Sequence, residues 1–323
     1  MDLTLQEDER QIAAMAAEVL AGEAALDRWF REDVDAAAEE ARLRALAAGL
    51  GWIGFGAPAA AGGSEVSVVE EAVLFREAGR FLAPMSLAAG AAAARFAAAD
   101  LAARIVEGEA AVGVAMARDA GRLWRLGTAD GALALQVDDA RLTLLEADWE
   151  PAACLDPTVP AQSAALGSVR TVAETSASAE PQRFGLLVAA QQLGLAETAL
   201  AASVAYAKLR EQFGRAIGSF QAVRHRCVDM AVRAERAKAQ LWFAAVSLRD
   251  GAADASFQAA AAMRVCDDAA GRNARDNILL HGAIGVTAEN EGHLLLKRAT
   301  LWRQVLPPNR ILEEIARGGG PAW

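Results

Sequence analysis

The chain has 323 residues and carries 32 Lys and Arg against 42 Asp and Glu, a net charge of -10. That length supports a large core and two or three domains, and the acidic balance excludes a surface that wraps nucleic acid, which needs clustered positive charge. Hydrophobic residues reach 54%, yet no unbroken apolar run of about 18 residues stands out, so no membrane-spanning helix is expected. The opening MDLTLQEDERQIAAM is acidic and polar, unlike a secretory leader, and a cytoplasmic location is expected. Cys154, Cys227 and Cys266, with His225, His281 and His293, show no metal-ligand spacing, so a zinc enzyme is not expected.

Residues 5–105 read as helical, because Leu, Ala and Ile recur every three or four positions in QIAAMAAEVL and VVEEAVLFREAGRFLA. GWIGFGAPAAAGG, 51–63, interrupts that pattern with glycines and Pro58. So apolar a loop is expected to pack inward and to line a cavity or an interface. From 106 to 178 the pattern changes to short segments, AVGVAM, RLWRL, GALALQV, RLTLLE and VRTVAE, separated by Gly and Asp. ADGALALQVDDARLTLL reads as strand, turn, strand, and the region predicts a small sheet of about four to six strands. Helix returns near 180 with one long span, RFGLLVAAQQLGLAETALAASVAYAKLREQF. Further helices are predicted from about Phe220 to Leu248, over about 255–280, and from near Ala288 to about Arg303. Their lengths suit a four-helix bundle. Leu306, Pro307, Pro308 and Asn309 stop it, before a short charged helix and a glycine tail. The predicted fold is α+β and mostly helical: an N-terminal helical domain, 1–105, a middle β domain, 106–178, and a C-terminal bundle, 179–323.

Within the bundle, REQFGRAIGSFQAVRH, 210–225, admits two readings. It is a charged bend between helices, or it grips an anion. Arg suits the second role because its planar donor fork pairs with phosphate oxygens, and Gly214 and Gly218 allow a tight turn. Taken alone, Arg210 reads as a solvated or salt-bridged residue at a helix end.

The chain as a whole resembles the acyl-CoA dehydrogenase family. REQFGRAIGSFQAVRH is similar to the motif that opens the family's last bundle, and LLHGAIGVTAENEGHLLLKRA, 279–299, to its second C-terminal motif, a QLHGGIGFTWE-like stretch. LGLAETALAASVAYAKLREQFG, 193–214, matches the intervening helix, and GWIGFGAPAAAGG resembles a GWxGLxxPExxGG loop. The resemblance implies extended FAD whose flavin ring lies between the middle sheet and the bundle, and whose pyrophosphate and adenine cross a subunit interface. It places Arg210 on the pyrophosphate, Gln212 and Phe213 beside it, and Gln221 nearby. The backbone at His281, Gly282 and Gly285 serves the adenine side. Arg215, Arg224 and Arg226 are expected at the surface or in salt bridges, His225 packed or hydrogen-bonded, and Tyr206 and Asp229 structural.

The sequence departs from a catalytic member in three ways. The middle region AVGVAMARDAGRLWRLGTADG lacks the TEPxxGSD-like loop and the Trp-Ile-Thr/Ser-like segment that serve the flavin ring, and Trp124 stands in an unlike setting. The middle domain is also shortened. The base that takes the proton next to the thioester is missing too. Leu306 or Pro307 occupies one of the family's Glu positions and Phe184 the other, and neither kind of side chain can accept a proton. Glu180 and Glu289 are the weak fallback candidates; otherwise no catalytic residue is assigned. Finally, Leu279 and Ala283 replace the Gln and second Gly of the QxxGG stretch.

This pattern resembles the smaller subunit of bacterial α2β2 acyl-CoA dehydrogenases of steroid degradation. In such a pair the larger subunit carries the base and the flavin-ring site, and the two share FAD. The implied partners are that larger subunit, a bulky acyl-CoA substrate and an electron-transfer flavoprotein. The rival expectations are a self-sufficient homomeric dehydrogenase with an atypical base and a cofactor-free scaffold.

Overall fold

The structure is a computed structural model that describes residues 5–30, 34–119, 121–137, 141–175 and 179–307. Helices come first: α1 (Glu7–Glu23), α2 (Ala36–Gly49), α3 (Val68–Arg80), α4 (Met85–Ala93) and α5 (Ala99–Val106). Local chemistry sets their starts. The Asp35 carboxylate accepts from Ala37 N at 2.9 Å and opens α2, and Ser67 Oγ accepts from Val69 N at 3.2 Å and opens α3. Each side chain satisfies an amide that has no partner within the helix. The 51–63 loop packs inward as expected, with Ile53, Ala57 and Ala61 buried.

A seven-stranded sheet follows: β1 (Val112–Asp119), β2 (Arg122–Leu126), β3 (Leu133–Val137), β4 (Leu142–Glu146), β5 (Glu150–Ala152), β6 (Ala161–Ala165) and β7 (Arg170–Glu174). The order is β5-β6-β2-β1-β3-β4-β7, and among the described residues only the β1–β3 pair is parallel. This exceeds the expected four to six strands. The additional strands β5 and β6 read EPA and AQSAA, without the branched or aromatic residues that mark a strand in sequence. β6 is held by its ladder with β2, from Arg122↔Ala165 to Leu126↔Ala161. Alternation sorts the two faces. Val112, Val114, Leu135 and Leu144 join the main core, while Ala115, Leu123, Ala134 and Leu145 form a second cluster against Trp149 and Val169.

The C-terminal helices are α6 (Ala179–Leu209), α7 (Gln221–Arg249), α8 (Ala255–His281) and α9 (Gly292–Val305). α6 is the axis of the molecule and packs on α3, α4, α7, α8 and α9. Glycine lets α3 and α6 cross with their backbones almost touching. A Cβ on Gly79 would lie 2.2 Å from Gln191 O, and one on Gly194 would lie 2.2 Å from Arg76 O. α6 is long and apolar enough to cross a membrane, with a mean hydropathy of 1.3 over its most apolar window, but 78% of that window is buried inside the fold.

Two helix boundaries differ from the sequence reading. α6 ends at Leu209 rather than continuing through Phe213, and α9 begins at Gly292 rather than Ala288. The charged helix and glycine tail expected after Asn309 lie outside the described residues. Middle sheet and bundle are tied by a buried ion pair. Arg298 on α9 donates to Asp156 Oδ2 at 3.0 Å, to Thr158 Oγ1 at 2.7 Å and to Ala83 O at 2.7 Å.

Candidate functional site

The chain between α6 and α7 carries the site. Directly after α6, Glu211–Gln212 and Arg215–Ala216 pair as a minimal antiparallel ladder, β8 and β9. Its two-residue tip is Phe213-Gly214, with φ of 54° and 77°. Positive φ at both central residues is the type I′ pattern, whose twist suits a tight hairpin. Gly214 adopts it freely, whereas Phe213 is strained there. The hairpin folds back onto the helix end, where Arg210 N donates to Tyr206 O and Ile217 N donates to Arg210 O, both at 2.8 Å. Gly218 has a different role from the one expected. It has no positive φ, but a Cβ there would lie 2.8 Å from Ala207 O, so it permits close approach to α6.

The hairpin presents its side chains outward. Phe213 is 92% exposed and touches Phe220 edge to face, with ring centroids 6.1 Å apart. Arg215 lies over Phe220, its guanidinium carbon 4.2 Å from the ring centre. Gln212 is exposed and donates to Glu211 O at 2.7 Å. Arg210 is exposed, and among the described residues its guanidinium has no hydrogen bond or ion pair. Gln221, also exposed, is the first residue of α7, a helix with neither a side-chain cap nor an acidic residue in its first turn. An uncapped start to a 29-residue helix leaves amide donors and the positive end of the dipole for an anion.

The second expected segment begins where α8 ends. His281 is buried, stacked on Tyr206 with centroids 4.2 Å apart, and its Nδ1 is 2.8 Å from Asn277 O. Gly282 is exposed with φ 65° and ψ -136°. Gly285 is buried, where a Cβ would lie 2.4 Å from Ile278 O. The Tyr206–His281 stack thus brings the ends of α6 and α8 together, and with them the two candidate segments. The exposed apolar residues Leu209, Leu279, Ile284 and Val286 belong to these same helix ends and the turn after α8.

Where the family resemblance puts a base, Phe184 and Leu306 are core side chains, whereas Pro307, the alternative to Leu306, is exposed. Phe184 is completely buried, and it shares one hydrophobic cluster with Leu306 and Trp302. The fallback Glu180 accepts from Arg95 Nε at 2.6 Å and from Arg95 Nη2 at 2.9 Å, and Glu289 is exposed in the turn before α9. On the sheet, Asp119 at the end of β1 pairs with Arg122 at the start of β2. Of the neighbouring residues, Arg226 is in the expected salt bridge, 2.6 Å from Asp276. His225, expected to be packed or hydrogen-bonded, lies exposed on α7. The residues present therefore fit the diphosphate end of FAD: an unpaired guanidinium, an uncapped helix start and an exposed ring.

Comparison with known proteins settles the family. Residues 6–104 match the acyl-CoA dehydrogenase N-terminal domain and residues 177–308 the acyl-CoA dehydrogenase C-terminal domain. Acyl-CoA dehydrogenase IpdE2 of Mycobacterium tuberculosis is 31% identical over 86% of this chain and 86% of its own length. The chain belongs to the acyl-CoA dehydrogenase family. Acyl-CoA dehydrogenase FadE34 of the same organism is 35% identical over 78% of this chain, which spans only 38% of that relative's length. Among solved structures, the steroid acyl-CoA dehydrogenase Tcur3481-Tcur3483, a G363A variant, superimposes with a TM-score of 0.78 at 25% identity, covering 98% of this chain and 99% of that one. The ChsE4-ChsE5 complex of Mycobacterium tuberculosis does so with a TM-score of 0.78 at 22% identity, covering 100% of both chains. At that identity it supports the acyl-CoA dehydrogenase fold alone.

The link between Tyr206 and His281 was not legible in the sequence. The two residues are far apart along the chain, and neither has a local pattern that names the other.

Proposed function

We propose that this chain is the non-catalytic subunit of a heteromeric, FAD-dependent acyl-CoA dehydrogenase that α,β-desaturates a bulky, steroid-derived acyl-CoA. The observation that carries this reading is an asymmetry. The candidate diphosphate contacts face outward, with no hydrogen bond or ion pair to the Arg210 guanidinium among the described residues, while the expected base positions hold Phe184 and Leu306 or Pro307, none of which can accept a proton. An exposed guanidinium without a partner among the described residues is suited to pair with the phosphate oxygens of a cofactor. When bound, FAD supplies the hydride acceptor for oxidation of the Cα–Cβ bond. This chain contributes Arg210 and the start of α7 to the diphosphate, Phe213 and Gln212 to the flanking moiety, and the Gly282–Gly285 backbone to the adenine side, with His281 behind it.

The larger subunit supplies the Glu that removes the α-proton and the pocket for the flavin ring. An electron-transfer flavoprotein receives the electrons. The steroid acyl-CoA dehydrogenase named above supports a wide substrate, and the exposed apolar residues around the hairpin support an obligate subunit contact. The bidentate Arg95 grip on Glu180 counts against a self-sufficient enzyme using that carboxylate as its base. The test is Arg210→Ala in the co-purified complex. The expected result is weaker FAD retention with the subunits still associated. Unchanged flavin content in an intact complex would favour a cofactor-free scaffold and refute the reading.

A further inference from the structure

The two candidate FAD-contact segments hang from the ends of different helices, so something must hold them at a fixed separation. The described structure contains one direct aromatic link between those ends. Tyr206 lies in the last turn of α6, and its carbonyl accepts the Arg210 amide at 2.8 Å. Its ring lies on that of His281, the last residue of α8, with centroids 4.2 Å apart and planes 28° from parallel. His281 in turn is the residue before Gly282 and Gly285.

Behind the stack the two helices are bolted together by buried polar contacts. Asn277 Nδ2 donates to Ala199 O at 3.1 Å and to Ser203 Oγ at 3.0 Å, while Asn277 O lies 2.8 Å from His281 Nδ1. Asn277 and Ser203 are both completely buried. A continuous path therefore runs from the α6–α8 interface through two rings to the backbone of Arg210 on one side and of Gly282 on the other. Buried, hydrogen-bonded elements of this kind transmit position because they have few alternative arrangements.

We infer that Tyr206 and His281 are positioning residues that set the spacing between the diphosphate-contacting hairpin and the adenine-side turn. This rests on the proposed function above and deepens it. Neither ring needs to touch the cofactor. Their role is to present Arg210 and the Gly282–Gly285 backbone together, so that one extended ligand meets both without the entropic cost of ordering them on binding.

The test uses the complex of this chain with its catalytic subunit. FAD dissociation constants and melting temperatures are measured for Tyr206→Phe and Tyr206→Leu, with Arg210→Ala as the control for the underlying reading. Tyr206→Phe keeps a ring to stack and is expected to bind FAD within about twofold of the unsubstituted complex. Tyr206→Leu keeps apolar bulk but loses the ring. Its melting temperature is expected to fall modestly as the stack is lost, and its FAD affinity to fall by up to about tenfold, an upper bound set by the energy of a stacked aromatic pair. His281→Leu and His281→Phe repeat the measurement from the other ring. The double variant Tyr206→Leu/His281→Leu is expected to be no weaker than the worse single variant, as residues acting through one contact require.

If Arg210→Ala weakens FAD binding while both leucine variants bind normally, the positioning role is overturned and the proposed function stands. A Tyr206→Phe variant as weak as Tyr206→Leu also overturns it, because the ring would then not be what matters. If Arg210→Ala itself leaves FAD binding unchanged, both the positioning role and the reading beneath it fail.

Discussion

Phe213 breaks two local rules at once, which makes it the most informative residue to change. A bulky side chain sits at φ 54° in a turn that favours Asn or Gly, and it is 92% exposed, so little burial offsets the strain. Left-handed backbone costs a non-glycine residue about 1–2 kcal/mol. The contact with Phe220 returns about 0.5 kcal/mol, the lower end for an aromatic pair, because the ring is almost fully solvated. Phe213→Asn places Asn-Gly at the hairpin tip and relieves the strain at the expense of that contact. The expected net gain is roughly 1 kcal/mol in the isolated chain, read by urea denaturation at unchanged m-value. The same substitution is expected to weaken FAD retention in the assembled complex. A stability loss above about 1 kcal/mol, on the scale of a lost structural contact, would show that the ring braces the fold and would refute the reasoning.

Other expectations follow from buried charge. Arg298 and Asp156 are 2% and 0% exposed, so Arg298→Leu leaves an unpaired buried carboxylate; it is expected to cost about 3–5 kcal/mol by denaturation, much of it recovered by adding Asp156→Leu. Additive losses in the double variant would contradict the pairing. Burial pushes the Glu40 carboxyl above its ordinary 4.5 despite bonds from Ser86 and Arg44. The folded state therefore holds this proton more tightly than the unfolded chain. The associated stability is full below about pH 4.5 and is lost as pH rises through the raised folded value. Relative to Glu40→Gln, the unsubstituted chain is expected to lose melting temperature over that rise, and parallel pH profiles would refute the assignment.

The helices and the main strands were legible because their apolar residues repeat at the period of the element they form. β5 and β6 were not, since EPA and AQSAA carry no strand signal and are held by pairing with β2 and with each other. The REQFG segment was recognisable as a motif, yet its shape was not. Charged and amide residues favour helix, and only the tertiary return of Ile217 onto Arg210 shows why α6 stops at Leu209. The residues at the expected base positions, Phe184 and Leu306 or Pro307, could be read directly from the sequence. That Phe184 and Leu306 lie in one packed cluster with Trp302 needed the fold. His281 illustrates the remaining gap: its place in a motif pointed to the adenine side, whereas its ring is occupied by Tyr206 and Asn277.

The central claim is that this chain braces a flavin whose ring and base belong to a neighbouring subunit. Its most direct test is the FAD stoichiometry of the chain expressed alone and co-expressed with the larger dehydrogenase subunit, by absorbance after gel filtration. The account predicts negligible flavin and no acyl-CoA oxidation from the chain alone, and one FAD per heteromeric pair with activity restored. A yellow homo-oligomer of this chain, retaining one FAD per subunit and oxidising acyl-CoA without a partner, would contradict it.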